Sequence, residues 1–166
     1  MKTYQQRLIL VAIVLTALFA VFWLTSSKQS VSAELSFTDI DNQTHILSDY
    51  RGKPVLVIFW ATDCPGCIQE MPELIQLHQA YADKGLIMIG VAMAHDTPEQ
   101  IQAMRTARNL PYTITWDNKG EIATAFNNVR VTPTHFLIAP DGEIIMRKIG
   151  ALNMERLTQD LQSMGI

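Results

Sequence analysis

The chain's only two cysteines, Cys64 and Cys67, close the motif Cys64-Pro65-Gly66-Cys67 at the end of the apolar run Val55-Leu56-Val57-Ile58-Phe59-Trp60. That placement constrains the fold more than any other feature. The apolar run reads as a strand buried on both faces. After the cysteines, Met71, Leu74, His78 and Tyr81 recur at helical spacing, which predicts an amphipathic helix ending near Gly85. The pair therefore falls at a strand-to-helix junction. Unpaired backbone N–H groups and the helix dipole favour a thiolate there. A cysteine pKa can fall from about 8.5 into the range of about 3.5–7.5 at such a site. Two thiols at this spacing can open and close a small disulfide and so carry two electrons. The competing reading is a structural staple in an oxidising compartment. A two-residue spacing closes almost no loop, however, and gains little stability from chain entropy.

Residues 8–24 contain no charged side chain and are almost wholly apolar, and the uncharged stretch continues to Ser27. At about 1.5 Å per residue such a stretch can cross a hydrocarbon layer of about 30 Å. Lys2 and Arg7 precede it and the first acid is Glu34, so residues 1–7 are expected on the cytoplasmic side and the bulk of the chain outside. A cleaved signal peptide is the alternative, with Val31-Ser32-Ala33 supplying small residues for a peptidase. Residues 25–33 are short, polar and serine-rich, as a tether would be, and residues 34–166 form one domain. Lys2, Arg7 and Lys28 account for three of the thirteen basic residues and none of the sixteen acids, so that domain carries a net charge of −6. Nucleic acid as a partner would require a basic face instead.

Along the domain, Leu35, Phe37 and Ile40 alternate around an Asp41-Asn42 turn, predicting a hairpin at a sheet edge. Residues 86–91 read as a second buried strand. Thr97-Pro98-Glu99-Gln100 has the form of a capping box with proline at the first helical position. Residues 112–116 suggest another strand and residues 121–126 a short helix. Residues 135–139 and 143–149 flank the turn Pro140-Asp141-Gly142. Met154, Leu157, Leu161 and Met164 mark a closing helix. Strands alternating with helices predict a mixed sheet covered on both faces, an α/β fold.

With Phe59-Trp60-Ala61-Thr62-Asp63-Cys64-Pro65-Gly66-Cys67, the entry segment Leu47-Ser48-Asp49-Tyr50-Arg51-Gly52-Lys53-Pro54 and Val131-Thr132-Pro133-Thr134-His135-Phe136-Leu137-Ile138 in view, the chain resembles thioredoxin-fold proteins. It looks most like the membrane-anchored TlpA/ResA-like thiol-disulfide oxidoreductases, over roughly residues 34–166. The 65 residues between Cys67 and Pro133 match the extra strand-helix unit of that branch. The resemblance implies a thioredoxin-like fold and a cis-proline loop facing the disulfide. Thr132, Pro133 and Trp60 would contact the client, whose chain adds as a strand. It implies attack by Cys64 on a client disulfide and resolution by Cys67. Plain thioredoxins place a buried acid six residues before the first cysteine, where this chain has Ile58. The TlpA/ResA-like branch instead has a glutamate matching Glu70, followed as here by an apolar residue and proline. Glu70 then handles the proton of Cys67; its plainer reading is a solvated helix carboxylate. Pro72 is expected to kink the helix beyond it.

Three departures from the family pattern matter, the first two of them for direction. Asp63 stands where a tryptophan commonly precedes the first cysteine, and a carboxylate there opposes thiolate formation on Cys64. Pro65-Gly66 lacks the histidine of strong oxidases. Both favour reduction of clients. Thr134 replaces the glutamate that often follows the cis-proline in cytochrome c maturation members, which tells against that particular assignment. The resemblance further implies exported, disulfide-containing client proteins, with cytochrome c or copper-site maturation as candidate settings. A membrane thiol transporter would be the electron donor, and neither an organic cofactor nor a metal is needed. The alternative is a copper-binding metallochaperone module in which His135 joins Cys64 and Cys67. His45, His78 and His95 show no ligand spacing, and the methionines read as core fillers. Peroxidase chemistry is disfavoured, because Thr62 lies two residues before Cys64 rather than the three of peroxiredoxins.

Overall fold

A computed structural model describes residues 7, 13–19 and 31–166. Most of the expected anchor at 8–24 and of the tether at 25–33 lies outside the described residues. Residues 13–19 are helical and expose Leu15, Leu18 and Phe19. No helix among the described residues is long and apolar enough to cross a membrane.

A hairpin of β1 (Ser36–Thr38) and β2 (Thr44–Ile46) leads through a 3-10 turn into β3 (Val55–Trp60). Helix α1 (Pro65–Tyr81), β4 (Ile87–Ala92), α2 (Pro98–Arg108), β5 (Thr113–Trp116) and α3 (Glu121–Ala125) follow. Then come β6 (Thr134–Ile138), β7 (Ile144–Ile149) and α4 (Met154–Ser163). The main sheet has the order β5-β4-β3-β6-β7, with β3, β4 and β5 parallel and β6 and β7 antiparallel to their neighbours. This is the thioredoxin-like α/β layout. Strand β3 lies at the centre, which explains why its six residues are all buried.

Period-2 alternation divides the core into two layers. Leu56, Ile58 and Trp60 face α1, α2 and α4, where Met71, Leu74, Ile101 and Leu157 cover them. Val55, Val57 and Phe59 face the other way, against Phe37, Ile122, Phe126 and Phe136. The buried stripe of α1 passes through Leu77, and His78 is only half-buried. The helix continues through Pro72 to Tyr81 without ending there. The capping box of α2 is present as expected, Thr97 accepting from the Gln100 N–H and the Gln100 side chain accepting from the Thr97 N–H.

The hairpin docks on the β5 edge of the sheet. The Ile40 N–H donates to the Ile114 carbonyl at 2.9 Å, and the Thr115 hydroxyl donates to the Thr38 carbonyl at 2.7 Å. At the opposite edge, β7 leaves Ile145, Arg147, Lys148 and Ile149 exposed.

Candidate active site

Strand β3 ends at Trp60, and the chain turns through Ala61–Asp63 to bring Cys64 to the N-cap of α1. Pro65 takes the first helical position, where its missing N–H costs nothing. The Cys64 sulfur accepts the Cys67 N–H at 3.2 Å, and the first turn of α1 holds no acidic residue. The cap is thus a sulfur receiving one of the helix's otherwise unpartnered amides. Cys64 and Cys67 form a disulfide with Cα atoms 5.3 Å apart. Cys64 is 8 % exposed and Cys67 3 %, so the first cysteine is the more accessible of two well-covered residues.

Residues 131–133 approach this turn from the side. The Thr132–Pro133 peptide is cis. A β-carbon on Gly66 would stand 3.6 Å from the Pro133 Cδ, so the proline ring lies directly against the residue between the cysteines. Val131 is exposed and Thr132 half-exposed beside it. Trp60, expected to touch the client, is buried instead. As the last residue of β3 it points to the α1 face, and it lines a closed space of about 10 Å³ with Cys67, Glu70, Tyr112 and Pro133. Trp60 therefore forms the floor of the site rather than its face. The space has room for about one water molecule.

Glu70 is not a solvated helix carboxylate. It is buried one turn beyond Cys67, and its Oε1 accepts the Leu152 N–H at 2.6 Å. Its Oε2 lies 2.8 Å from Nε2 of His135, an ion-pair approach without hydrogen-bond alignment. Burial, and then the charge of Glu70, push the Tyr112 phenol above its ordinary value. The carboxylate, the resolving thiol and this phenol ring thus border one closed space.

Two further contacts were not legible from spacing. Asp63 Oδ1 is 3.2 Å from His95 Nε2, both side chains exposed. Buried Asp96 accepts the N–H of Thr62 at 3.1 Å and its hydroxyl at 2.5 Å, which pins the loop before Cys64 to the turn that follows β4. Asp63, His95 and Asp96 lie close enough to share an ion, though Asp96 is already engaged by Thr62. Cys64, Cys67 and His135 are not gathered as a ligand set among the described residues.

Residues 29–147 match the AhpC/TSA family model. The chain is 29 % identical over 170 residues to the thiol-disulfide oxidoreductase ResA of Geobacillus kaustophilus, covering 96 % of this chain and 97 % of that one. It is 31 % identical over 129 residues to the thioredoxin-like protein YneN of Bacillus subtilis, covering 77 % and 75 %. The solution structure of a protein described as a thioredoxin of Neisseria meningitidis superposes with a TM-score of 0.76 at 31 % identity, over 82 % of this chain and 91 % of that one.

Proposed function

The chain belongs to the AhpC/TSA family, and on that footing we propose that this thiol-disulfide oxidoreductase works outside the cytoplasm, reducing disulfides of exported proteins. The observation that carries the reading is Cys64 itself: a sulfur capping a helix, accepting an amide N–H, with Pro133 packed beside it. Reduced Cys64 attacks one sulfur of a client disulfide and releases the other as a thiolate, leaving a mixed disulfide. Cys67 loses its proton to Glu70, attacks the Cys64 sulfur and displaces the client's second thiolate. Two client sulfurs are reduced while Cys64 and Cys67 are oxidised to the disulfide. Thr132 and Pro133, in the loop before β6, align the client chain as an added strand against the backbone that precedes the proline.

The uncharged segment at 8–24 supports retention at a membrane, with the domain on the outer side. A membrane thiol transporter recharges the oxidised pair. Clients include proteins awaiting cytochrome c or copper-site maturation, among other exported proteins.

Insulin reduction in the presence of dithiothreitol tests this reading. Turbidity should rise with the wild type and stay at background with Cys64→Ser. Stoichiometric Cu(I) retention without turnover would replace the reading with a metallochaperone role. Cys67→Ser should stall the mixed disulfide and so identify the clients.

A further inference from the structure

Glu70, Tyr112 and His135 are the ionisable side chains gathered beneath the disulfide, and the exchange as written uses only Glu70. His135 is wholly inaccessible to solvent. It sits on β6 opposite Ile58 of β3, and its strand neighbour on the same face is Leu137. Its β7 partner is Lys148, whose side chain is exposed, while Ile58 and Leu137 beside it are apolar and buried, so an imidazole there costs desolvation unless something answers its charge. Glu70 does so, with Oε2 2.8 Å from Nε2. The Leu152 N–H holds the other carboxylate oxygen at 2.6 Å. Each oxygen therefore has its own restraint, one from α1's packing against the loop before α4 and one from the sheet.

We propose that His135 is a positioning residue for the resolving step, acting through Glu70. The inference rests on the reading that Glu70 takes the proton of Cys67. An imidazole and a carboxylate sharing one proton have no net charge, which is the state burial favours. When Cys67 forms its thiolate, the proton it gives up makes the pair cationic, and the thiolate beside it balances that charge. The thiolate then bonds to Cys64 Sγ, the bond from Cys64 to the client sulfur breaks, and the client leaves as a thiolate that is protonated by solvent. The pair returns its extra proton to solvent once the disulfide has closed. His135 makes and breaks no covalent bond. Its work is to fix the carboxylate's orientation and to answer its charge in a site shielded from bulk solvent.

The test separates the two steps in the full-length chain. Mixed-disulfide formation is followed in the Cys67→Ser background, and resolution in the chain with both cysteines. His135→Phe should slow resolution about 10-fold or more and leave formation unchanged. His135→Gln, which keeps a donor facing Glu70, should bring resolution back to within about threefold of wild type. Resolution at the wild-type rate in His135→Phe, or equal slowing of both steps, overturns the proposal. Should His135→Phe not fold, the imidazole ¹⁵N signals of His135 decide in the wild type and Glu70→Gln. They should differ between the two proteins, and identical signals overturn the proposal. Glu70→Gln also separates the levels of the argument. If it resolves normally, the Glu70 reading fails and takes this inference with it. If it is slow while His135→Phe is normal, only the inference fails.

Discussion

Asp63 and His95 meet across the mouth of the site, Oδ1 to Nε2 at 3.2 Å, although 31 residues separate them in the chain. The carboxylate preceding Cys64 therefore has a cationic partner available whenever the imidazole is protonated. Both side chains are exposed, so solvent weakens the influence of either on the sulfur.

The first prediction concerns redox poise. A carboxylate next to Cys64 disfavours the thiolate and hence the reduced form. Wild-type protein should have a potential below about −200 mV, in the glutaredoxin-to-thioredoxin range. Asp63→Asn should raise the potential by less than about 30 mV, measured against glutathione. A more negative value in the variant would contradict the sign of the argument.

Client recognition can be separated from thiol chemistry at Pro133. The ring packs against Gly66 and flanks the exposed Val131-Thr132 edge. Pro133→Ala should reduce turnover of a protein disulfide roughly 10-fold while sparing a small aromatic disulfide. Parallel assays on insulin and the small disulfide check this. Equal losses would move the role of Pro133 to the sulfurs themselves.

Two glycines near the site should respond differently to alanine. At Gly90 the added carbon would stand 3.2 Å from both Trp60 Nε1 and Tyr112 Cε2, and these two rings border the space beneath Cys67. Gly90→Ala should cost about 1–3 kcal/mol in urea unfolding through overpacking. At Gly66 the nearest atom is the Pro133 Cδ at 3.6 Å, an ordinary contact. Gly66→Ala should be neutral or stabilise α1 by up to about 1 kcal/mol.

Acid stability should depend on Asp39. Burial opposes its charge, but the contact with His45 and the backbone N–H groups of Gln43 and Asp41 outweigh it and hold the carboxyl below its usual 3.8. A lowered carboxyl stabilises the fold above its unfolded pKa, and that contribution disappears as pH falls through the folded value. Urea unfolding of wild type should therefore weaken as pH drops below about 4. Asp39→Asn should be less stable by on the order of 1 kcal/mol at pH 6 and show less of this acid loss. A parallel decline in both proteins would exclude Asp39 as the cause.

The strands and helices were legible because their signals are local. The all-apolar β3, the capping box before α2 and the Asp41-Asn42 turn each lie within a few residues, and the structure forms each of them. The cysteine pair and the cis-proline loop were legible through family resemblance as well as position. Contacts made by the sheet were not. His135 reaches Glu70 only because β6 lies beside β3 under α1, and no spacing rule joins residues 65 positions apart. Asp96 reaches Thr62 only because parallel strands β3 and β4 end at the same level. Trp60, which the resemblance placed against the client, is buried at the end of β3 on the face that packs against α1.

An unpaired sheet edge can be zipped onto another extended chain as one more ribbon of backbone. Here the hairpin covers the β5 border, and the β7 border that stays open carries Arg147 on one face of the strand and Lys148 on the other. A cation on each face penalises the desolvation that such zippering requires, so the border left open is guarded against uncontrolled pairing with other chains.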